Sequence, residues 1–312
     1  MTIAPALNCR LGLSEVKAEN LRTLVVVCAY NEEASIAVPV SRAVKEGFPV
    51  LVVDDGSEDR TSEIAKAQGA VVVRNPERMG KAQALNRAIS YAKDHGYEAI
   101  IEIDADAVPT DKSITKLYRY LTLPNVAAVS ARQIPIGNGI AYKIDELVWR
   151  ILAIGKSLQQ RLNRPVHLGA VMYGVKLKYV KEVVEVVNDD EFVGIIVLRE
   201  GGRTYFADDV IVYFDASSSI KHLFARRKRM ILGHLQLGKS TAPSMQPKIL
   251  AIATLLAICE KKSRMVWFFP AAAIEMAAHL SARATARKVW RLKEYVRWHT
   301  QGLKRPLRIE VT

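Results

Sequence analysis

Apolar residues in the first third of the chain come in short runs, each closed by a polar turn and followed by a stretch with helical spacing. Leu24-Val25-Val26-Val27-Cys28 is a β-branched run that predicts a buried strand, and Ala29-Tyr30-Asn31-Glu32-Glu33 makes the turn at its end. A helix is expected to about Glu46, where Gly47 and Pro49 break it. Val50-Leu51-Val52-Val53 predicts a second strand ending in Asp54-Asp55-Gly56-Ser57, with Ser57 as N-cap of a helix through Ala67. Ala70 to Val73 reads as a third strand, and Arg78-Met79-Gly80-Lys81 leads into a helix over Ala82 to Asp94. In Ile100-Ile101-Glu102-Ile103-Asp104-Ala105-Asp106, four of the six residues before Asp106 are apolar, which suits a strand covered on both faces, stopped by Pro109. Strands alternating with helices in this way predict an α/β fold with a mostly parallel, doubly wound sheet and helices on both faces.

Beyond Pro109 the alternation loosens. Val126 to Ser130 and Tyr205 to Phe214 predict further strands. Ile140 to Leu162 carries Ile144, Leu147, Val148, Ile151, Leu158 and Leu162 at helical spacing, which predicts a core-facing stripe, while Trp149 with Lys143, Arg150 and Lys156 keeps an interfacial role open. Near the C-terminus Ile249 to Cys259 is apolar but short, and Met265 to Ala282 is longer but contains Pro270, Glu275 and His279. A helical hairpin embedded in a membrane is expected. It spans if Ala242 to Lys248 extends the first helix and is re-entrant if not, because a spanning helix needs roughly 20 apolar residues. An ionised Glu275 at mid-bilayer would be costly, so it is expected protonated, paired or facing protein.

Chemistry gathers at the predicted strand ends. Asp104 and Asp106 can turn their oxygens toward one hard cation, and acids at a strand's carboxyl end face the crevice where open α/β sheets bind ligands. The same acids would also suit a strand capped by turn-forming Asp. With Lys81 and Arg78 nearby, the carboxylates suit a nucleotide diphosphate bridged by Mg²⁺ or Mn²⁺. No P-loop and no Gly-x-Gly-x-x-Gly turn is present, which argues against an NTPase or a dinucleotide oxidoreductase. Asn188-Asp189-Asp190-Glu191 is a second acid cluster, readable alternatively as a helix cap.

Four patches in order, Ala29-Tyr30-Asn31-Glu32-Glu33, Asp54-Asp55-Gly56-Ser57, Gly80-Lys81-Ala82-Gln83-Ala84-Leu85-Asn86 and Asp104-Ala105-Asp106, resemble the family 2 glycosyltransferases with a GT-A fold. The resemblance implies that Ala29, Tyr30, Asn31 and Glu32 border a nucleotide sugar and that Asp54, with Asp55 beside it, contacts the base. It sets Lys81 beside the nucleotide and makes Asp104 and Asp106 the metal pair, Asp106 the more direct ligand. Asp190 falls in the place of the catalytic base, which takes the acceptor's proton in an inverting displacement, with Asp189 or Glu191 as alternatives. His167, Gly169 and Ala170 lie in what looks like the acceptor-side segment. Phe224-Ala225-Arg226-Arg227-Lys228-Arg229-Met230 sits where processive members carry Gln-x-x-Arg-Trp, so Arg229, helped by Arg226, would neutralise the leaving diphosphate. Cys28 departs from the proline common before the first turn, and the missing Gln and Trp argue against a cellulose-synthase-like terminus.

Charge then selects a partner. The net charge of +13 implies an anionic partner, and from residue 220 onward Lys and Arg flank apolar segments, which favours a membrane over nucleic acid. The tail from Arg283 to Arg308 mixes Arg287, Lys288, Arg291, Lys293 and Arg297 with Trp290, Tyr295 and Trp298, as an anionic leaflet would favour. Cys9, Cys28 and Cys259 lack zinc spacing. Met1 to Leu13 is interrupted by Asn8 and Arg10 without a basic leader, so the catalytic region is expected on the cytoplasmic face. The expected organisation is a lead-in over 1–20, a GT-A catalytic domain over 21–215, and an amphipathic, membrane-embedded helical region over 216–312. The expected activity is metal-dependent inverting transfer from a nucleotide sugar, GDP-mannose ahead of UDP-sugars, to a polyprenyl-phosphate-type lipid-linked acceptor. A processive polysaccharide synthase is the runner-up, and a non-catalytic membrane scaffold is the rival from another class.

Overall fold

The β-branched runs pair as their burial demands. In the computed structural model, β1 (Thr23–Ala29), β2 (Val50–Asp54), β3 (Val71–Arg74) and β4 (Ala99–Ile103) lie side by side in the order β3-β2-β1-β4, all parallel. Residues 20–237 and 245–291 are described, with side chains to Arg287, together with a short backbone pair at Val296–Arg297 and Gly302–Leu303. Register sets Ala29 opposite Asp54, and Asp54 opposite Arg74, so the carboxyl ends of these strands share one sheet edge. Successive β1 residues serve opposite cores, as a pleated strand requires. Val25 and Val27 pack under α1 (Ala37–Lys45) and α4 (Ser113–Leu121), whereas Leu24 and Val26 pack under α3 (Lys81–Asp94) and α6 (Asp189–Arg199). The short α2 (Thr61–Ala67) joins the first of these cores through Ala65.

The sheet continues through β7 (Met172–Lys176), β6 (Ala128–Ile136), β8 (Thr204–Asp215) and β5 (Val108–Pro109). β7 runs antiparallel to both β4 and β6 and is the strand that joins the two halves. Its sequence, Met-Tyr-Gly-Val-Lys, carries a glycine and a charge and does not stand out as a strand. Gly174 packs closely there: a Cβ would come within 3.1 Å of a Leu121 methyl, which would have to give by a few tenths of an ångström. Three departures from the sequence expectations are local. The strand ending in Asp106 stops at Ile103, and the two acids fall in the turn that follows. Ser57 does not cap α2, whose N-cap is Arg60; its hydroxyl instead accepts the Asn31 N–H at 2.9 Å. β6 reaches Ile136 rather than Ser130, through an irregularity at Ala131/Arg132 that lets it follow β8 in parallel.

A third layer lies outside the sheet. The stripe of α5 (Gly139–Arg161) buries Ile144, Leu147 and Ile151 against Ala253 and Ala257 of α8 (Pro247–Glu260) and Ala271 of α9 (Met265–Arg291). α7 (Ile220–Leu237) packs Ile231 and Leu232 against Ala278, Ala282 and Ala286 of α9. Ionic contacts tie the layer: Arg150 Nε donates to Glu260 at 2.6 Å, Arg264 Nη2 donates to Glu146 at 2.6 Å, and Arg227 pairs with Glu275. Among the described residues one helix, Lys262–Arg287, is long and apolar enough to cross a membrane. With 14 residues α8 is about 21 Å long, short of a bilayer core of about 30 Å. Residues 14–19 of the expected short helix, residues 242–244 of the expected extension and the side chains of Trp290, Tyr295 and Trp298 lie outside the described residues; of the extension, Pro247 and Lys248 open α8.

Candidate active site

Lys81, the first residue of α3, is where the acid clusters meet. Its Nζ lies 2.6 Å from Asp104 Oδ1, 3.1 Å from Glu102 Oε1 and 3.6 Å from Asp189 Oδ2. Burial opposes the ammonium, but the three carboxylates outweigh it and raise its pKa. Glu102, fully buried, is pushed up to about 8 by desolvation, against the pull of Lys81. The Lys81 ammonium thus faces an inner ring of acids. Sequence reasoning passed over Glu102 and Asp189 as its partners; the signal for Glu102 was a carboxylate within an isoleucine run, since charged residues are almost never fully buried unless paired.

Asp104 is held from two sides. Its Oδ2 accepts from the Val171 N–H at 3.2 Å, and its own N–H donates to the Val171 carbonyl at 2.9 Å. Val171 carries this latch at φ 70°, a left-handed conformation that a β-branched residue adopts only under constraint. Ala105 is buried in the turn, and Asp106 beyond it is exposed. Desolvation and the like charges of Asp104 and Glu32 push its carboxyl up to about 6, and no protein cation pairs with it among the described residues. Two carboxylates, of which Asp106 lacks a paired protein cation, make an all-oxygen set that fits a hard divalent ion.

The nucleotide-side residues divide. Tyr30 is covered by the Arg78 guanidinium at 4.1 Å from the ring centroid. Asn31, at φ 55°, accepts the Glu58 N–H at 2.8 Å, and the Glu32 N–H donates to Thr61 at 2.8 Å, while the Ala29 carbonyl accepts from Asp55. Asp54 and Asp55 are spent inside the loops. Asp54 accepts from the Ser57 N–H at 2.8 Å and from the Ser62 hydroxyl, and is fully buried. Asp55 accepts from Asn75 Nδ2 at 2.7 Å, the Met79 N–H at 2.9 Å and the Gly80 N–H at 2.7 Å. Both shape the cleft's loops rather than present free oxygens to a base, and a Cβ at Gly56 (φ 80°) would meet the Glu77 backbone at 2.8 Å.

On the acceptor side, Asp190 follows Asp189 into the first turn of α6 and is pushed up to about 6 by burial and by Asp189, with His167 pulling the other way. Gly169 is pressed against Gln133 and Lys156, and the Ala170 carbonyl accepts from Gln133 Nε2. Burial draws the Lys156 ammonium down to about 8. The basic run on α7 behaves differently from expectation. Arg226 Nη2 donates to the buried Asp145 of α5 at 2.6 Å, and Asp145 also accepts the Ser217 N–H, so Arg226 fastens α7 to α5. Arg229 is exposed on the same helix.

Residues 24–182, half of the chain, match the sequence family described as Glycosyl transferase family 2. The chain belongs to this family. It is 27% identical over 145 residues to polyprenol monophosphomannose synthase of Mycolicibacterium smegmatis, covering 44% of this chain and 52% of that one. It is 36% identical over 100 residues to glycosyltransferase AglJ of Haloferax volcanii, covering 31% of this chain and 32% of that one. The chain thus spans about half the length, or less, of these relatives. Among solved structures, glucosyl-3-phosphoglycerate synthase of Mycobacterium tuberculosis, in complex with Mn²⁺, UDP-glucose and phosphoglyceric acid, superposes with a TM-score of 0.51. It is 21% identical, over 68% of this chain and 78% of that one, a likeness that shows the shared fold.

Proposed function

We propose that this glycosyltransferase performs metal-dependent, inverting transfer from a nucleotide sugar, GDP-mannose before UDP-sugars, to a polyprenyl-phosphate-type lipid-linked acceptor at a membrane surface. The observation that carries the reading is Asp106, an exposed carboxylate among like charges and without a protein counter-ion, one residue beyond the latched Asp104. Asp104 and Asp106 would hold Mn²⁺ or Mg²⁺, which supplies charge neutralisation to a departing nucleoside diphosphate. Lys81 keeps Asp104 and Asp189 at fixed spacing, and Asp189 in turn sets the position of Asp190. Asp190 removes the proton of an acceptor hydroxyl as that oxygen attacks, which inverts the anomeric carbon; toward a phosphate acceptor, already anionic, it only positions. Arg229 serves the leaving group from the exposed face of α7.

The membrane part of the reading rests on α8 and α9, which leave Leu250, Ile252, Leu255, Val266, Phe269 and Met276 exposed. Similarity to a polyprenol monophosphomannose synthase supports the lipid acceptor. Among the described residues one candidate span is too few to enclose a polymer channel, which favours single transfer over processive synthesis.

Nucleotide release by detergent-solubilised protein tests the reading, using GDP- and UDP-sugars with Mn²⁺ or EDTA, with and without polyprenyl phosphate. Release from one donor that needs both metal and lipid supports it and names the sugar. Turnover that persists in EDTA, or in Asp106→Asn, removes the metal reading; turnover without lipid removes the acceptor.

A further inference from the structure

Away from Asp104 and Asp106, three side chains from three separate segments converge. His167 precedes β7, Glu191 sits in the first turn of α6, and His234 in the last turn of α7. Their ligand atoms all lie within 4.8 Å of one another. His234 Nδ1 is 2.6 Å and His167 Nε2 3.7 Å from the same oxygen, Glu191 Oε2. The rings stand at 72° with centroids 6.0 Å apart, so they do not stack, and each turns a nitrogen to Glu191.

The cluster is incomplete as a hydrogen-bonded unit. Glu191 is 1% exposed, its Oε1 is buried without a partner, and so is His167 Nε2. One shared proton satisfies the His234–Glu191 contact but leaves His167 beyond hydrogen-bond reach. A cation bound by all three gives His167 Nε2 the partner it lacks. Ligands at about 2.1 Å from a tetrahedral ion stand about 3.4 Å apart, inside the observed spread, so side-chain adjustment suffices. Asn188 Nδ2 donates to Glu191 Oε2 at 2.9 Å and fixes the carboxylate, as outer partners of metal ligands do. Two imidazoles and one carboxylate select a borderline ion such as Zn²⁺ over the hard ions suited to an all-oxygen set.

We propose that His167, Glu191 and His234 form a second metal site, for a zinc-class ion, separate from Asp104 and Asp106 and one residue from Asp190. Three protein ligands leave a fourth position for water or a substrate oxygen. Bound metal pins the last turn of α7 and the segment before β7 to the helix that carries Asp190.

Co²⁺ titration of chelator-stripped, full-length protein in detergent tests this, because tetrahedral Co²⁺ absorbs strongly in the visible. One equivalent of absorbing Co²⁺, displaced by Zn²⁺, is expected. His234→Gln, on a half-exposed side chain, should weaken binding by at least about a hundredfold, the upper end of what outer-shell changes alone cost. Asp106→Asn should retain the band. Thermal melting of the metal-free variant at the parent's temperature confirms that the fold is kept, and Glu191→Gln provides a second variant with the same expected loss. Absence of the band, its survival in His234→Gln and Glu191→Gln, or its loss in Asp106→Asn each overturns the site. No turnover is read, so failure here leaves the transferase reading intact.

Discussion

Asp190 holds its proton up to about 6, so a base at this position is competent at neutral pH and disabled in mild acid. The sign is fixed by the role: activity is present above the pKa and lost as pH falls through it. The kcat/KM profile of the free enzyme should fall below about pH 6, and Asp190→Asn should lower turnover by about 10²–10⁴-fold toward a hydroxyl acceptor. Lys81 predicts a stability effect instead. Lys81→Ala leaves the buried Asp189 without its cation, which should cost about 3–5 kcal/mol in chemical denaturation. Asp104 and Asp106 were legible as acids at a strand end, where local order alone suffices. The ring around Lys81 was not, because its members lie on α3, β4 and α6. The Arg226–Asp145 pair was hidden for the same reason: a basic run does not reveal which member faces Asp145, 81 residues away.

Between elements, Asp145 is the small polar link on which the docking of α7 depends. Asp145→Ala removes both the Arg226 bond and the acceptor for Ser217 N–H, and strands a partly buried guanidinium. A loss of about 3–5 kcal/mol is expected, read as faster amide exchange along α7 before the sheet opens. The parallel strands β1, β2 and β4 were legible from the sequence because burial on both faces writes them as continuous apolar runs. β7 was not, since its pairing with β4 and β6 rather than its composition makes it a strand. α2 starts later than its N-cap signal because Ser57 is engaged by the Asn31 turn, a contact across 26 residues.

For the molecule as a whole, the apolar C-terminal face is the feature with the largest measurable consequence. Leu255 and Phe269 are 63% and 75% exposed, and replacing both by Asp should abolish flotation with neutral vesicles while leaving the fold intact. Each charge set at bilayer depth costs about 2.5–3.5 kcal/mol. The apolar character of this region was plain in the sequence. So was its division into one short and one long apolar segment; the start of the first helix was not, and it lies at Pro247 behind the N-cap Gln246. β7, the joining strand, also sets a timetable for synthesis. β1 to β4 can pair once Ile103 has left the ribosome, but Asp104 has no latch until Val171 emerges 67 residues later. At about 5–20 residues per second that is an interval of about 3 to 13 s. Throughout it the nascent chain presents β4 as a bare sheet edge, the kind of surface on which a second copy can template. The enzyme's most exposed moment for misassembly thus precedes the completion of its own crevice.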